Sequence, residues 1–177
     1  EQQMETVKGP DRNHDELLIS LVDQYQSSLL RLCFIYLHDK ALAEDAVQET
    51  FLKAHRSLSS FRGDSSEKTW LTRIAMNTCR DMRRAGWFRF MDRRVTPEDV
   101  PPVPVHPFEN SDADALAQAI IKLPVKQKEV ILLYYYHDMT MREIADTLGI
   151  NVSSVSGRLK HAHTKLRNLL EKEDAYE

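Results

Sequence analysis

Between Asn151 and Leu170 the chain carries Arg158, Lys160, Lys165 and Arg167 and no Asp or Glu. Ser153, Ser154, Ser156 and Gly157 precede these cations, and His161 stands among them. On a single helix that order has a use. Small polar residues near a helix start allow close approach to base edges in a major groove, and cations further along reach phosphates. The chemistry this implies is recognition of a polyanion, with no bond made or broken. A solvated basic face on an ordinary helical hairpin is the plainer alternative.

Something must hold that face outward. Ile144, Ala145, Leu148, Ile150, Val155, Leu159, Leu166 and Leu169 recur at helical spacing in two blocks. Gly149 separates the blocks, and Gly is the residue that turns a helix end through a left-handed conformation. Asn151 or Ser153 can cap the helix that follows. Two short helices meeting across a Gly turn make a helix-turn-helix. Ala145 is small enough for the helices to approach, and Val155 packs back against it.

The net charge of −3 does not announce a nucleic-acid binder, but the distribution of charge is uneven. Residues 62–94 hold nine Lys/Arg against four Asp/Glu, whereas residues 1–61 hold six against ten and residues 95–150 four against nine. Two basic zones are therefore set into an acidic chain, a better footprint for a polyanion than the total.

The rest of the chain reads as helices. Leu17, Leu18, Leu21, Val22, Tyr25, Leu29, Leu32, Cys33 and Tyr36 predict a helix over 16–37 after a frayed start at 1–13. Ala43, Ala46, Val47, Phe51, Ala54 and Leu58 form the stripe of a second. Residues 59–66 cluster Ser, Gly and Asp as a loop. Trp70, Leu71, Ile74, Ala75, Thr78, Cys79 and Met82 form the stripe of a third, with Gly86 as its expected stop. Five of the seven prolines fall between Pro97 and Pro107, which excludes helix and favours an extended tether. Helices resume at Asp112, and Pro124 opens a further one. No strand-period segment, internal repeat or Gly-rich phosphate loop is visible. The expected fold is all-α, with a helical domain at 14–92, a Pro-rich linker at 93–111 and a helix-turn-helix domain at 112–172.

Three stretches, in order, resemble bacterial RNA polymerase sigma factors of the sigma-70 family, in the two-domain extracytoplasmic-function (ECF) class. Asp45-Ala46-Val47-Gln48-Glu49-Thr50-Phe51-Leu52-Lys53-Ala54 resembles the helix with which that class docks on core polymerase. Phe61 to Ser66, continued by Thr69 to Asn77, resembles its promoter-melting loop and helix. Leu123-Pro124 through the helix-turn-helix resembles its second DNA-binding domain. The resemblance spans about 16–170. It implies transcription initiation without intrinsic chemistry. Asp45, Gln48, Glu49, Phe51 and Lys53 become expected polymerase contacts, with mere solvation of that face as the alternative. Arg62, Asp64, Lys68, Arg73, Asn77, Arg80, Arg83 and Arg84 become expected contacts to the −10 element, where one strand is unstacked and held. Asn77 best suits a base edge, since an amide both donates and accepts. Ser153, Ser154, Ser156, Gly157, Arg158, Lys160, His161 and Lys165 become expected contacts to the −35 element. Ser156, His161 and His163 occupy places the family usually gives to cations, which implies modest affinity of this domain alone. Trp70 is read as core, and Trp87, Phe88 and Phe90 as packing rather than base stacking.

By resemblance, the partners are core RNA polymerase, promoter DNA and an anti-sigma factor, often membrane-anchored, that hides both DNA faces. The chain is expected in the cytoplasm, or held at the membrane by that factor, and no stretch has the length to cross a bilayer or reads as a secretory leader. Cys33 and Cys79 read as small buried hydrophobes of a reducing compartment. No metal, cofactor or small-molecule substrate is expected. Two other classes compete. A helix-turn-helix regulator that is not a polymerase subunit would not co-elute stoichiometrically with core polymerase. An enzyme would need a nucleophile–base or metal-spaced constellation, and the seven His and the carboxylates form none. His161 and His163 lie two apart, hence on different faces of a helix.

Overall fold

The computed structural model describes residues 10–91 and 111–174, and every regular element among them is helical. The first group comprises α1 (Pro10–Leu37), α2 (Lys40–Ser57), a 3-10 turn (Leu58–Ser60) and α3 (Glu67–Met91). The second comprises α4 (Ser111–Ile121), α5 (Val125–Ile131), a π-helical turn (Leu132–Tyr136), α6 (Met141–Leu148) and α7 (Val152–Asp174). The proline-rich stretch lies outside the described residues.

In the first group α1, α2 and α3 pack on one another. α1 buries Leu21, Leu29, Leu32, Cys33, Ile35 and Tyr36. It ends at His38, whose φ of 53° breaks the helical path. Asp39 then caps α2 by accepting the Leu42 N–H at 2.9 Å. Ala43, Ala46 and Ala54 are fully buried and give α2 a narrow face. α3 closes the group with Leu71, Ala75, Met76 and Cys79. Both cysteines are free and buried. A hydrogen bond between them is the largest reason the Cys33 thiol is pushed up, with burial second.

Two expectations need correction. The first helix begins at Pro10, so residues 10–13 are helical rather than frayed; Pro at a first helical position is already set to the required φ. Gly86 does not stop α3, which continues to Met91. Its backbone avoids the left-handed region, and an interior Gly is a tolerated cost of about 1 kcal/mol.

The second group buries Ala117, Ile120 and Leu123 against Val130, Ile131, Leu132, Leu133 and Met139, and the helix-turn-helix completes it. Thr140 and Glu143 form a capping box at the start of α6. Gly149 ends α6 at φ 68°, ψ 38°, and the Ile150 N–H returns to the Ala145 carbonyl at 3.0 Å. Asn151 caps α7 by accepting the Ser154 N–H at 2.7 Å. Ala145 and Val155 are both buried at the crossing, as their sizes predict.

The two groups touch. α1 packs on α4 and α5, and α3 packs on α6. The buried apolar residues form one contiguous cluster running through both groups.

Candidate nucleic-acid and partner interfaces

α7 turns two faces in opposite directions. Val155, Leu159 and Ala162 are buried, while Ser153, Ser156, Lys160, His161 and Lys165 are exposed. Ser154, Gly157 and Arg158 are half-buried between them. The predicted recognition face is thus open over most of its length. His163 is exposed beside them: its Nε2 lies 2.6 Å from the Tyr135 hydroxyl, and the two rings lie 5.5 Å apart.

α3 and the loop before it carry the second basic set. Arg62 and Asp64 are exposed on the loop, where Gly63 takes φ 75°. Asn77, Arg83 and Arg84 are exposed on α3, and Lys68, Arg73 and Arg80 are half-buried. Trp70 packs against the core and stacks on Phe61 at 4.6 Å, in keeping with its structural reading. The side chains of Trp87, Phe88 and Phe90 lie outside the described residues.

α2 offers Asp45 and Gln48 to solvent, with Glu49 half-buried. Phe51 packs on the core, and Lys53 donates to the Thr78 hydroxyl at 3.1 Å, so these two are less free than their places in the stretch suggest. Leu42 and Leu52, which the sequence reading passed over, are 42% and 52% exposed on the same helix. Two exposed leucines among carboxylates and amides suit a partner helix better than water does.

Sequence reasoning also missed the polar seam between the groups. Glu129 on α5 is only 4% exposed. Its Oε1 accepts the Tyr36 hydroxyl of α1 at 3.0 Å and lies 3.4 Å from the Arg80 Nε of α3. Its Oε2 lies 3.9 Å from Arg158 of α7. Burial, then the Glu129 charge, pushes the Tyr36 hydroxyl up. Lys128 beside it is buried too, and desolvation, then Arg83, pulls its ammonium down to about 8. Thr72 and His137 are buried partners across the same seam, 3.0 Å apart. At its edge Lys68 grips Asp138 at 2.6 Å. A cleft of about 650 Å³ opens between the groups, and Arg80, Arg83, Arg84, Arg158 and His161 are among its lining. The two basic sets, far apart in sequence, therefore face one another. Burial of Tyr36 was legible in its stripe, but the partner of its hydroxyl, 93 residues away, was not.

Comparison with known proteins places both halves. Residues 21–89 match the family profile described as Sigma-70 region 2, and residues 113–166 match that described as Sigma-70, region 4. The chain is 30% identical over 183 residues to the RNA polymerase sigma-H factor of Pseudomonas aeruginosa, covering 97% of this chain and 95% of that one. The chain belongs to the sigma-70 family. ECF RNA polymerase sigma factor SigL of Mycobacterium tuberculosis is 33% identical over 176 residues, covering 95% of this chain and 97% of that one. CnrH, solved with the cytosolic domain of CnrY, superposes with a TM-score of 0.63 at 26% identity, over 89% of this chain and 90% of that one. The sigma factor RpoE of Bartonella quintana, solved with the anti-sigma factor NepR, shares the fold with a TM-score of 0.75 at 23% identity, over 90% and 98%. This sigma factor is thus a promoter-recognising subunit of RNA polymerase of the ECF class, and the reading as a free-standing regulator is not favoured. Among the described residues no helix is long and apolar enough to cross a membrane, and no group of three or more His, Cys, Asp or Glu is placed to hold a metal ion.

Proposed function

We propose that this sigma factor docks on core polymerase through the outer face of α2, holds the −10 element along α3 and its preceding loop, and reads the −35 element with α7. The observation that carries the reading is the split surface of α7: a buried stripe seats the helix, and Ser153, Ser156, Lys160 and Lys165 stand exposed on the other side. On α3, Asn77 is exposed with cations before and after it, the combination needed to grip a phosphate chain and receive an unstacked base. On α2, Leu42 and Leu52 join Asp45, Gln48 and Glu49 as the polymerase face.

An anti-sigma factor is proposed as the regulating partner, since the two solved relatives named above are both complexes, one of them with the anti-sigma factor NepR. Such a partner would mask Arg158 or the 45–53 stretch, and membrane anchoring would be its property. Hydrogen-exchange protection at neither surface would count against it.

The deciding experiment mixes the full chain with core polymerase from the same organism and transcribes its fragmented genomic DNA. Transcripts should start at a small set of sites that share two elements upstream. Starts indistinguishable from those of core polymerase alone would overturn the proposal.

A further inference from the structure

The cleft between the two groups is lined as a receptor for a small polyanion would be. Arg80, Arg83 and Arg84 stand at i, i+3 and i+4 on α3, so all three share one side of that helix. Arg158 of α7 and Lys126 of α5 meet them around a space of about 650 Å³. Among the described residues Glu129 is the one carboxylate in that lining. It lies 3.4 Å from Arg80 and 3.9 Å from Arg158, so it serves two of the five cations. Arg83, Arg84 and Lys126 form no ion pair among the described residues. With His161 neutral, the lining carries a net formal charge of +4. The crowding is felt next door, where desolvation and then Arg83 pull the buried Lys128 ammonium down to about 8.

The space also selects the size and shape of its guest. A cleft of about 650 Å³ suits a small molecule and is too small for a duplex. Pro124, Val125, Leu148 and Ile150 give it an apolar wall, on which a flat heterocycle can rest. At the same wall the Gln127 Oε1 is buried without a hydrogen-bond partner, although buried polar atoms normally have one. Nucleobases carry exocyclic N–H donors that suit such an acceptor. We infer that this cleft binds a nucleoside polyphosphate, with the phosphates on Arg83, Arg84 and Lys126 and the base on the apolar wall beside Gln127. A nucleoside triphosphate carries about four negative charges near pH 7, which matches the positive excess. Guanidinium forks donate to phosphate oxygens in pairs, so two arginines and a lysine can hold such a chain. The site itself does not depend on where the promoter contacts fall. On the contacts proposed above, occupancy ties up cations of both sets, so nucleotide and promoter compete for the free chain.

The test is titration calorimetry on the full chain without polymerase, at fixed salt and without magnesium. The probes are GTP, GMP and inorganic tripolyphosphate. GTP should bind at least about tenfold more tightly than GMP, which lacks most of the charge, and than tripolyphosphate, which lacks the base. Arg83→Ala and Lys126→Gln should each weaken GTP binding about tenfold, the worth of one charge-assisted hydrogen bond. No GTP binding by wild type at about 1 mM would overturn the site. Folded variants that both stay within twofold of wild type would put the ligand elsewhere and overturn it equally. Tripolyphosphate as tight as GTP would overturn the assignment of a nucleoside. Lys126 belongs to neither promoter set, so holoenzyme carrying Lys126→Gln should initiate as wild type does. Promoter-specific initiation by wild-type holoenzyme is scored separately, and a failed titration beside active holoenzyme overturns the nucleotide site alone.

Discussion

His137 should make the protein acid-sensitive in a defined window. Its imidazole is 2% exposed and lies 3.0 Å from the Thr72 hydroxyl across the seam between the two helical groups. Burial, then the nearby Lys68 charge, pulls its pKa from 6.5 to about 4, against a smaller opposing pull from Asp138. The unfolded chain therefore takes a proton near pH 6.5, and the folded chain only near 4. Between those values the unfolded state binds more protons, so stability falls as pH falls. At 1.36 kcal/mol per pKa unit the loss is about 2 kcal/mol at pH 5 and about 3 kcal/mol at pH 4, with none at pH 7. Against a typical total of about 5–15 kcal/mol this is a large fraction. The assay is denaturant unfolding of wild type and His137→Asn at pH 7, 5 and 4. Carboxylates elsewhere titrate in both proteins and cancel in the difference. Wild type should lose about 2 kcal/mol more than the variant between pH 7 and 5. A difference that stays flat within about 0.5 kcal/mol would show that the imidazole is not held neutral by this seam. Scattering at the same pH values reports the route, because parting of the groups relieves the buried proton without unfolding either one.

Other expectations are simpler. In holoenzyme, Arg158→Ala should weaken −35-dependent promoter binding by about 1–3 kcal/mol while leaving polymerase binding intact; equal losses in both would mean a damaged fold. Asn77→Ala should impair strand opening more than closed-complex formation, and an unchanged permanganate footprint would remove Asn77 from that role. Gly149→Ala meets no atom within 4 Å, so its cost is the left-handed backbone at φ 68°, about 1–2 kcal/mol. Its Tm should drop by roughly 2–4 °C per kcal/mol, and an unaltered Tm would show that the turn had relaxed.

Local chemistry made much of the fold legible. Gly149 was readable because Asn151 follows it as a cap and Ala145 and Val155 form a crossing of matched size. Gly86 looked alike on a short window, yet Trp87-Phe88-Arg89-Phe90 follows it in place of a capping residue, and α3 runs on. The outward face of α7 was legible for the same reason as its buried stripe, since one period fixes both. What stayed hidden is long-range and polar. Nothing near Glu129 in sequence signals that it will meet Tyr36, Arg80 and Arg158, because a buried carboxylate is specified by partners that only tertiary structure brings together. The exposure of Leu52 was hidden by its neighbour Phe51, which does face the core.

The two thiols sealed between α1 and α3 have a practical consequence. Cys33 and Cys79 are the only cysteines in the chain, and both are 0% exposed. Maleimide dyes should therefore spare them while the native packing holds. A cysteine introduced on the outer surface of α2 and another near the end of α7 would carry a donor and acceptor pair with no background labelling. Energy transfer between those dyes turns the spacing of the two helical groups into a signal that can be followed in real time, from free chain through polymerase binding to initiation.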